Sequence, residues 1–140
     1  MNIKIQAGSW QDLQQDAKFI RELVFIQEQG IPEHEEWDVQ DGKSVHFIVH
    51  DNIHAIATAR LLPNNSIGRV AVLQDYRGSG IGFKLMQYII QFAKSEHRDC
   101  LILSAQVYAI QFYEKLGFVV DGDEYLDCGI SHIDMTMRLT

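Results

Sequence analysis

Hydrophobic positions repeat along the chain with a period of two in some stretches and of about 3.6 in others. The first period is typical of a half-buried strand and the second of an amphipathic helix. Gly, Pro and Asn residues stand between most of these stretches and mark their ends. In chain order, the pattern predicts a strand at 2–7, a helix from Ser9 to about Gln29, strands at 45–50, 53–62 and 67–73, a helix at 79–95, a strand at 100–104, a helix at 107–116, and strands at 118–120 and 132–138.

The order of these elements predicts an α/β fold with a mixed central β-sheet flanked by helices. The early strands follow one another through short turns and should pair antiparallel. Helix 79–95, by contrast, is a crossover that would make its two flanking strands parallel. No repeat or linker interrupts the chain, and 140 residues is an ordinary domain length. We therefore expect a single domain across residues 1–140.

Composition and charge exclude several classes of protein. Hydrophobic residues at 46% and charged residues at 22% are ordinary values for a globular domain. The sequence shows neither an apolar run near the ~20 residues of a membrane span nor an N-terminal signal peptide, so we expect a cytoplasmic protein with no membrane partner. The formal net charge of −7 argues against nucleic-acid binding and would favour a cationic partner.

The most informative segment runs from a strand through a glycine-rich turn into a long helix. Its sequence is Val70-Ala71-Val72-Leu73-Gln74-Asp75-Tyr76-Arg77-Gly78-Ser79-Gly80-Ile81-Gly82. A helix that begins in such a turn directs free backbone N–H groups and the positive end of its dipole at one point. Glycines let an anion approach that backbone closely, so a diphosphate is a suitable ligand. The glycine spacing differs from the dinucleotide fingerprint, and the lysine of a P-loop is missing.

Two motifs give the chain a resemblance to the GNAT N-acyltransferases. The segment Arg77–Gly82 resembles the acetyl-CoA loop of that family, Q/R-x-x-G-x-G/A. Residues 105–118, AQVYAIQFYEKLGF, resemble its second signature, N-x-x-A-x-x-F/L-Y-x-x-x-G-F. Together with residues 21–29 and 57–61, these motifs make nearly the whole chain similar to the small single-domain branch often called ElaA-like.

The resemblance implies direct transfer of an acyl group from acetyl-CoA, or another acyl-CoA, to an amine. The strand before the loop would diverge from strand 100–104, offer its edge to pantetheine and direct the Val72 N–H at the thioester oxygen. Gln106 stands where many relatives have Asn and keeps the side-chain amide. The cofactor-binding residues implied by the resemblance are Val70, Ala71, Val72, Arg77, Gly78, Ser79, Gly80, Ile81, Gly82, Gln106 and Tyr113.

Two proton transfers define the catalytic candidates. By resemblance, Tyr113 is the general acid that serves the departing thiolate. A lysine-like acceptor titrates near 10.4 and must lose a proton before it attacks. Strand 67–72 lacks the glutamate that many relatives place there, so the base is open: Glu28, at the end of the first helix, or an acid of the loop after it could act through water. His46 and His132 are alternative bases, because free imidazole titrates near neutral pH.

An acidic stretch between the first helix and the second strand has two interpretations. It could be a solvated surface, or it could attract a cationic acceptor. Arg60 and Arg69, which lie within strands, could likewise bind a carboxylate of the acceptor or pair with this stretch. The stretch has five acids against one lysine, a formal charge of −4: Glu33, Glu35, Glu36, Asp38, Asp41 and Lys43.

The histidines and cysteines predict less. His46 and His50 stand about 13 Å apart along one strand at ~3.3 Å per residue, and no third ligand is recognisable, so we predict no metal site. The two cysteines, Cys100 and Cys128, are expected to be reduced and buried. A homodimer is compatible with the sequence.

Two other functions remain open on the same fold. The chain could be a non-catalytic acyl-CoA sensor, an interpretation favoured by the missing strand acid. It could also be a protein-interaction domain that uses the acidic stretch. The leading hypothesis is an acyl-CoA-dependent N-acyltransferase.

Overall fold

The computed structural model of the protein describes all residues, 1–140. The strands are β1 (Ile3–Gly8), β2 (Val45–Asp51), β3 (His54–Leu61), β4 (Ser66–Val72), β5 (Cys100–Gln106), β6 (Val119–Val120), β7 (Tyr125–Asp127) and β8 (Ile130–Arg138). The α-helices are α1 (Trp10–Arg21), α2 (Glu33–Glu36), α3 (Ile81–Ser95) and α4 (Ile110–Leu116). None of the helices combines the length and hydropathy that a membrane span requires.

The strands form one mixed eight-stranded sheet, which confirms the predicted fold class. Its spatial order is β1-β2-β3-β4-β5-β8-β6, and β7 pairs with β8 outside this path. Strands β1 to β4 pair antiparallel, as do β5 and β8. The parallel contact between β4 and β5 is limited to the pairs Ser66–Ile102 and Ile67–Leu103. Beyond these pairs the two strands separate, as expected.

The first predicted helix is in fact two segments of different winding. Ser9 caps its N-terminus, since its hydroxyl accepts the N–H of Asp12 at 3.2 Å. The α-helical part ends at Arg21, and residues Glu22–Glu28 continue as a π-helix. In this segment the Gln29 N–H donates to the Val24 carbonyl five residues back, at 3.1 Å. The sequence pattern also missed two short elements, α2 and β7.

The two faces of the sheet are covered differently. Helices α3 and α4 pack over one face, where they form the main core with residues such as Phe47, Leu85 and Phe118. Helix α1 packs against β2, β3 and β4 on the other face. On β5 and β8, Leu103 and Ile133 are buried toward the core, whereas Ser104, His132 and Asp134 beside them lie on the opposite face. This opposite face therefore offers a polar floor beside the point where β4 and β5 separate.

The acidic stretch is tied down by a buried arginine. Arg21 is only 1% exposed, and its guanidinium lies over the rings of Trp10 and Trp37, at 5.6 and 4.9 Å from their centroids. Its Nε donates to Glu36 Oε2 at 2.7 Å, and its Nη1 donates to Asp41 Oδ1 at 2.8 Å. Burial opposes ionisation of Asp41, but the hydrogen bonds from its arginine partners hold the pKa of this carboxyl below its usual range.

Two strand arginines complete this ionic cluster. Arg60 donates through Nη1 to Asp38 at 2.7 Å and to Asp41 at 2.9 Å. Arg69 donates through Nη2 to Asp38 at 3.3 Å; its Nε lies 3.1 Å from Glu36 Oε2, at an angle that makes no hydrogen bond. These contacts show that Arg60 and Arg69 form ion pairs with the acidic stretch, which was one of the two interpretations of these arginines. They also show that much of the acidic stretch is not a solvated surface.

Removing the guanidinium of Arg21 should destabilise the whole fold. In an Arg21→Met variant, Glu36 and Asp41 lose a buried partner, and breaking a buried ion pair costs about 3–5 kcal/mol. Denaturant unfolding followed by fluorescence or circular dichroism measures this loss. Arg138→Met, at an exposed position on β8, serves as the control and should change the free energy of unfolding by less than ~0.5 kcal/mol. Equal stability of the two variants would contradict the role assigned to Arg21.

Candidate functional site

A cleft of about 1200 Å³ opens where β4 and β5 separate. It extends from the glycine-rich loop to the turn between β7 and β8. Among the predicted residues, those that line it are Glu28, Val70, Ala71, Val72, Arg77, Gly78, Gly80, Ile81, Gly82, Gln106 and Tyr113. Ser79 does not line the cleft, and its hydroxyl donates back to the carbonyl of Tyr76.

The glycine-rich loop presents a row of free backbone donors. Gly78 and Gly80 have φ angles of 79° and 85°, in the left-handed region that favours glycine. The first backbone hydrogen bond into α3 is donated by the Lys84 N–H to the Gly80 carbonyl, at 3.1 Å. The N–H groups from Gly78 to Phe83 donate to no group of the protein. Because they stand at the positive end of a 15-residue helix, they suit an anion with several oxygens.

The edge of β4 supplies a second set of backbone groups. The Leu73 N–H donates to the Ile56 carbonyl on β3, at 2.9 Å. Since antiparallel strands alternate the direction of their backbone groups, the Val72 N–H points away from β3, toward the gap beside β5. The Val72 carbonyl accepts from Arg77 Nε at 2.9 Å, which fixes the loop against the end of the strand.

Two predicted site residues bind each other across the cleft. Glu28, at the end of the π-helical segment, accepts a bidentate pair from Arg77, with Nη2 to Oε1 at 2.7 Å. This hydrogen bonding lowers the pKa of Glu28. A carboxylate whose charged form is stabilised is a weaker base, so the contact works against Glu28 as a proton acceptor.

Tyr113 lies in the wall of the cleft with its ring packed in the core. It is 9% exposed and contacts the edges of Phe112 and Phe118, at centroid distances of 5.0 and 6.0 Å. Burial raises the pKa of Tyr113 to about 12. The phenol therefore carries its proton throughout the neutral pH range and can act as a hydrogen-bond donor inside the cleft.

Of the two histidines considered as alternative bases, only His132 lines the cleft. His46 is 1% exposed, lies 2.9 Å through Nε2 from the Asp41 carbonyl and is remote from the cleft, so it is excluded. Burial lowers the pKa of His46, which further disfavours its charged form.

Cys128 is exposed, contrary to the expectation of a buried thiol. Its Sγ donates to Glu35 Oε2 at 3.1 Å, and this contact raises the pKa of the thiol to about 11. A thiolate nucleophile at this position is therefore disfavoured. Cys100 is also a free thiol and is partly buried.

The sequence pattern did not single out several polar residues that lie in the cleft, such as Ser104 and Asp127, or bond to it from beside it. The hydroxyl of Tyr125 is hydrogen-bonded to the hydroxyl of Ser104 on β5. It also donates to Asp134 Oδ1 on β8, at 2.7 Å. A signal was present, because Ser104 and Gln106 alternate with buried apolar residues on β5. No such sequence signal marked Tyr125 and Asp127, since β7 has only three residues.

Comparison with known proteins agrees with this arrangement. The family described as "Acetyltransferase (GNAT) domain" matches residues 15–139. The chain belongs to the GNAT acetyltransferase family. The uncharacterized N-acetyltransferase YjcF of Bacillus subtilis is 35% identical to this GNAT protein over 124 residues, which cover 86% of this chain and 89% of YjcF.

Solved structures of other GNAT proteins superpose on nearly the whole chain. An acyl-CoA N-acyltransferase from Pseudomonas aeruginosa has a TM-score of 0.87 and 30% identity, covering 97% of this chain and 99% of its own. Escherichia coli ElaA has a TM-score of 0.86 and 27% identity, covering 96% and 99%. The resemblance to the ElaA-like branch is thereby confirmed.

Binding of acetyl-CoA by this GNAT protein should depend on Gly80. A Gly80→Glu change places a negative charge and a strained backbone among the free N–H groups, so affinity should fall at least ~10-fold, about 1.4 kcal/mol. Titration calorimetry with acetyl-CoA measures the change. Gly122→Glu is a matched control, since Gly122 also has a positive φ (110°) and open surroundings but does not line the cleft. Equal loss of affinity in both variants would refute an anion site at the loop.

Proposed function

We propose that the protein is an acyl-CoA-dependent N-acyltransferase that moves an acetyl or other acyl group to an amine. The observation that carries this proposal is the row of free N–H groups at the start of α3, set beside the open edge of β4. The first feature suits the diphosphate of coenzyme A, and the second suits an extended amide-containing arm such as pantetheine. The name of the P. aeruginosa relative, an acyl-CoA N-acyltransferase, agrees with this assignment.

The cleft supports the following placement of the cofactor. The diphosphate binds the loop 78–83, and the pantetheine arm runs along the β4 edge toward Ile67. The thioester then lies on the Ile67 side of Val72, where a backbone N–H of the β4 edge stabilises the oxyanion that forms when the amine attacks. Gln106 reaches the same gap from β5, although its amide donates to Gln29 Oε1 at 3.2 Å in this structure.

Tyr113 serves the leaving group as a hydrogen-bond donor. A phenol with a pKa of about 12 is a weaker acid than a thiol such as cysteine, at roughly 8.5. Complete proton transfer to the thiolate is therefore uphill. Tyr113 can instead donate a hydrogen bond to the sulfur as negative charge develops there. This hydrogen bond stabilises the transition state more than the ground state.

The charges of the cleft support a cationic acceptor. Glu35 and Asp127 line its acceptor end, while the charge of Arg69 is offset by its acidic partners. Glu36 takes no part in this attraction, contrary to one interpretation of the sequence, because it is buried against Arg21. An amine drawn to this end would approach the thioester from the polar floor.

A non-catalytic acyl-CoA sensor is the second candidate. The absence of an acid on β4 and the engagement of Glu28 by Arg77 favour it. A sensor would bind acetyl-CoA as the enzyme does but would leave the thioester intact. A protein-interaction domain would bind neither cofactor nor amine in this cleft.

Thermal unfolding with acetyl-CoA and thiol release with a panel of amines separate these functions. Acetyl-CoA at 100 times its Kd should stabilise the fold by about 2.7 kcal/mol. Thiol release should then follow with spermidine or L-lysine and should exceed that with uncharged or acidic amines. Stabilisation without release for any amine supports the sensor. If acetyl-CoA neither stabilises the fold nor releases its thiol, both the enzyme and the sensor proposals are refuted.

Removing the hydroxyl of Tyr113 should slow turnover and spare binding. In Tyr113→Phe the ring packing is kept, so kcat should fall about 10-fold, at or below the low end for general-acid roles, while the Kd of acetyl-CoA holds. Steady-state kinetics with the best amine of the panel, under conditions where chemistry limits the rate, measures this. Tyr88→Phe, on α3 and 38% exposed, is the control. Unchanged kcat would remove Tyr113 from the mechanism.

A further inference from the structure

We propose that His132 is the general base that takes the proton from the attacking amine. The inference rests on the proposed function and fills the role for which β4 carries no acid. His132 lies on β8 and lines the cleft, directly opposite Gln106 of β5 and Tyr125 of β7 in the strand register.

The hydrogen bond of the imidazole fixes which nitrogen can accept a proton. Nδ1 of His132 lies 2.7 Å from the carbonyl oxygen of Ile130. Because a carbonyl oxygen only accepts, Nδ1 carries the hydrogen of the neutral ring, and the lone pair is on Nε2. Nε2 has no hydrogen-bond partner in the protein. The ring is therefore held in the tautomer that a base requires.

A second contact holds the plane of the ring. Tyr125 stacks on His132 with centroids 6.1 Å apart and an interplanar angle of 21°. The hydroxyl of Tyr125 is in turn held by Asp134 and Ser104. Together with the Nδ1 contact, this stacking orients Nε2 from two directions, as expected for a preorganised group.

Other candidate bases of the cleft are weaker or engaged. Glu28 is paired with Arg77, and Glu35 accepts the thiol hydrogen of Cys128. Carboxylates are also weaker bases than imidazole, whose ordinary titration near neutral pH suits proton transfer there. The charged or titratable groups that share the cleft with His132, or lie beside it on β7 and β8, are Asp134 (β8), Asp127 and Tyr125 (β7), Cys128 (the β7–β8 turn), Glu35 and Glu36 (α2), Glu28 (the π-helical segment), Arg69 (β4), Tyr76 and Arg77 (the loop), and Tyr108, Tyr113 and Lys115 (residues 107–116).

The proton balance of the step starts from the neutral amine, because an ammonium acceptor first releases one proton to solvent. As the nitrogen of the amine bonds to the thioester carbon, one N–H proton passes to Nε2 of His132. The C–S bond breaks, and coenzyme A leaves as a thiolate hydrogen-bonded to Tyr113. The imidazolium then returns its proton to the thiolate through solvent, which yields the amide, free coenzyme A thiol and neutral His132.

Kinetics of His132→Gln, with Glu28→Gln and His54→Gln beside it, test the assignment. With acetyl-CoA and the best amine of the panel, His132→Gln should lose about 10²–10⁴-fold in kcat, while acetyl-CoA affinity by calorimetry stays within about threefold. His54, exposed on β3, is the matched control and should keep full activity. Full activity in His132→Gln, or a comparable loss in Glu28→Gln alone, would overturn the proposal.

The pH profile and chemical rescue separate a base from a structural residue. Wild-type kcat/KM should show a falling limb on the acidic side of its pH profile, and His132→Gln should lose that limb. Added imidazole should restore part of the activity of His132→Ala. A profile unchanged by the substitution, or no rescue, would contradict a role in proton transfer.

The tautomer gives a test that does not depend on turnover. Nitrogen-15 correlation spectra of the wild type at pH 8 should show the His132 hydrogen on Nδ1; a hydrogen on Nε2 would refute the proposal directly. If acetyl-CoA binds but the wild type acylates no amine, the proposed function fails and the base with it. If the wild type is active and His132→Gln equals it, only the base is wrong.

Discussion

The buried guanidinium of Arg21 is the contact on which the acceptor side of the molecule depends. It joins α1 to the segment Glu33–Lys43 through Glu36 and Asp41, and the same carboxylates reach β3 and β4 through Arg60 and Arg69. Buried charges persist only when they are paired, so these groups have few alternative arrangements. The segment that would otherwise be a mobile loop becomes a wall of the cleft.

The two halves of the cleft are lined by different kinds of groups, backbone in one and side chains in the other. The half that we propose for the cofactor is made largely of backbone: the N–H groups of the loop and the edge of β4. The acceptor half is made of side chains contributed by α2, β7 and β8, among them Glu35, Asp127 and His132. Backbone geometry is shared by many sequences of one fold, whereas side chains differ. This division explains why a common fold can keep one cofactor and change its acceptor.

The same division decided what the sequence could predict. The strand–loop–helix unit around Gly80 is local, so its motif located the row of free N–H groups, and the hydrophobic pattern placed most main elements within two residues; α4 begins three residues later than predicted. Arg21 gave no such signal, because its partners lie 15 and 20 residues away and meet it only in the folded chain. Likewise, Glu28 and Arg77 were predicted separately, and their mutual bond, 49 residues apart in sequence, was invisible to a local pattern. The three-residue β7 is too short for periodicity to detect.

The π-helical segment Glu22–Glu28 has a consequence for how the protein can vary. Its wider turn determines the directions in which the side chains of this segment point. Val24 and Phe25 pack on Ala71, while Glu28 and Gln29 reach the cleft. If the same seven residues wound as an ordinary α-helix, the residues after them would rotate by about 100°, because the wider turn holds about one residue more than an α-helical turn. Glu28 would swing away from Arg77, and Gln29 from Gln106. Loss of one residue together with that change of winding would leave the later residues facing nearly as they do now. Along this segment the winding and the number of residues are thus constrained together.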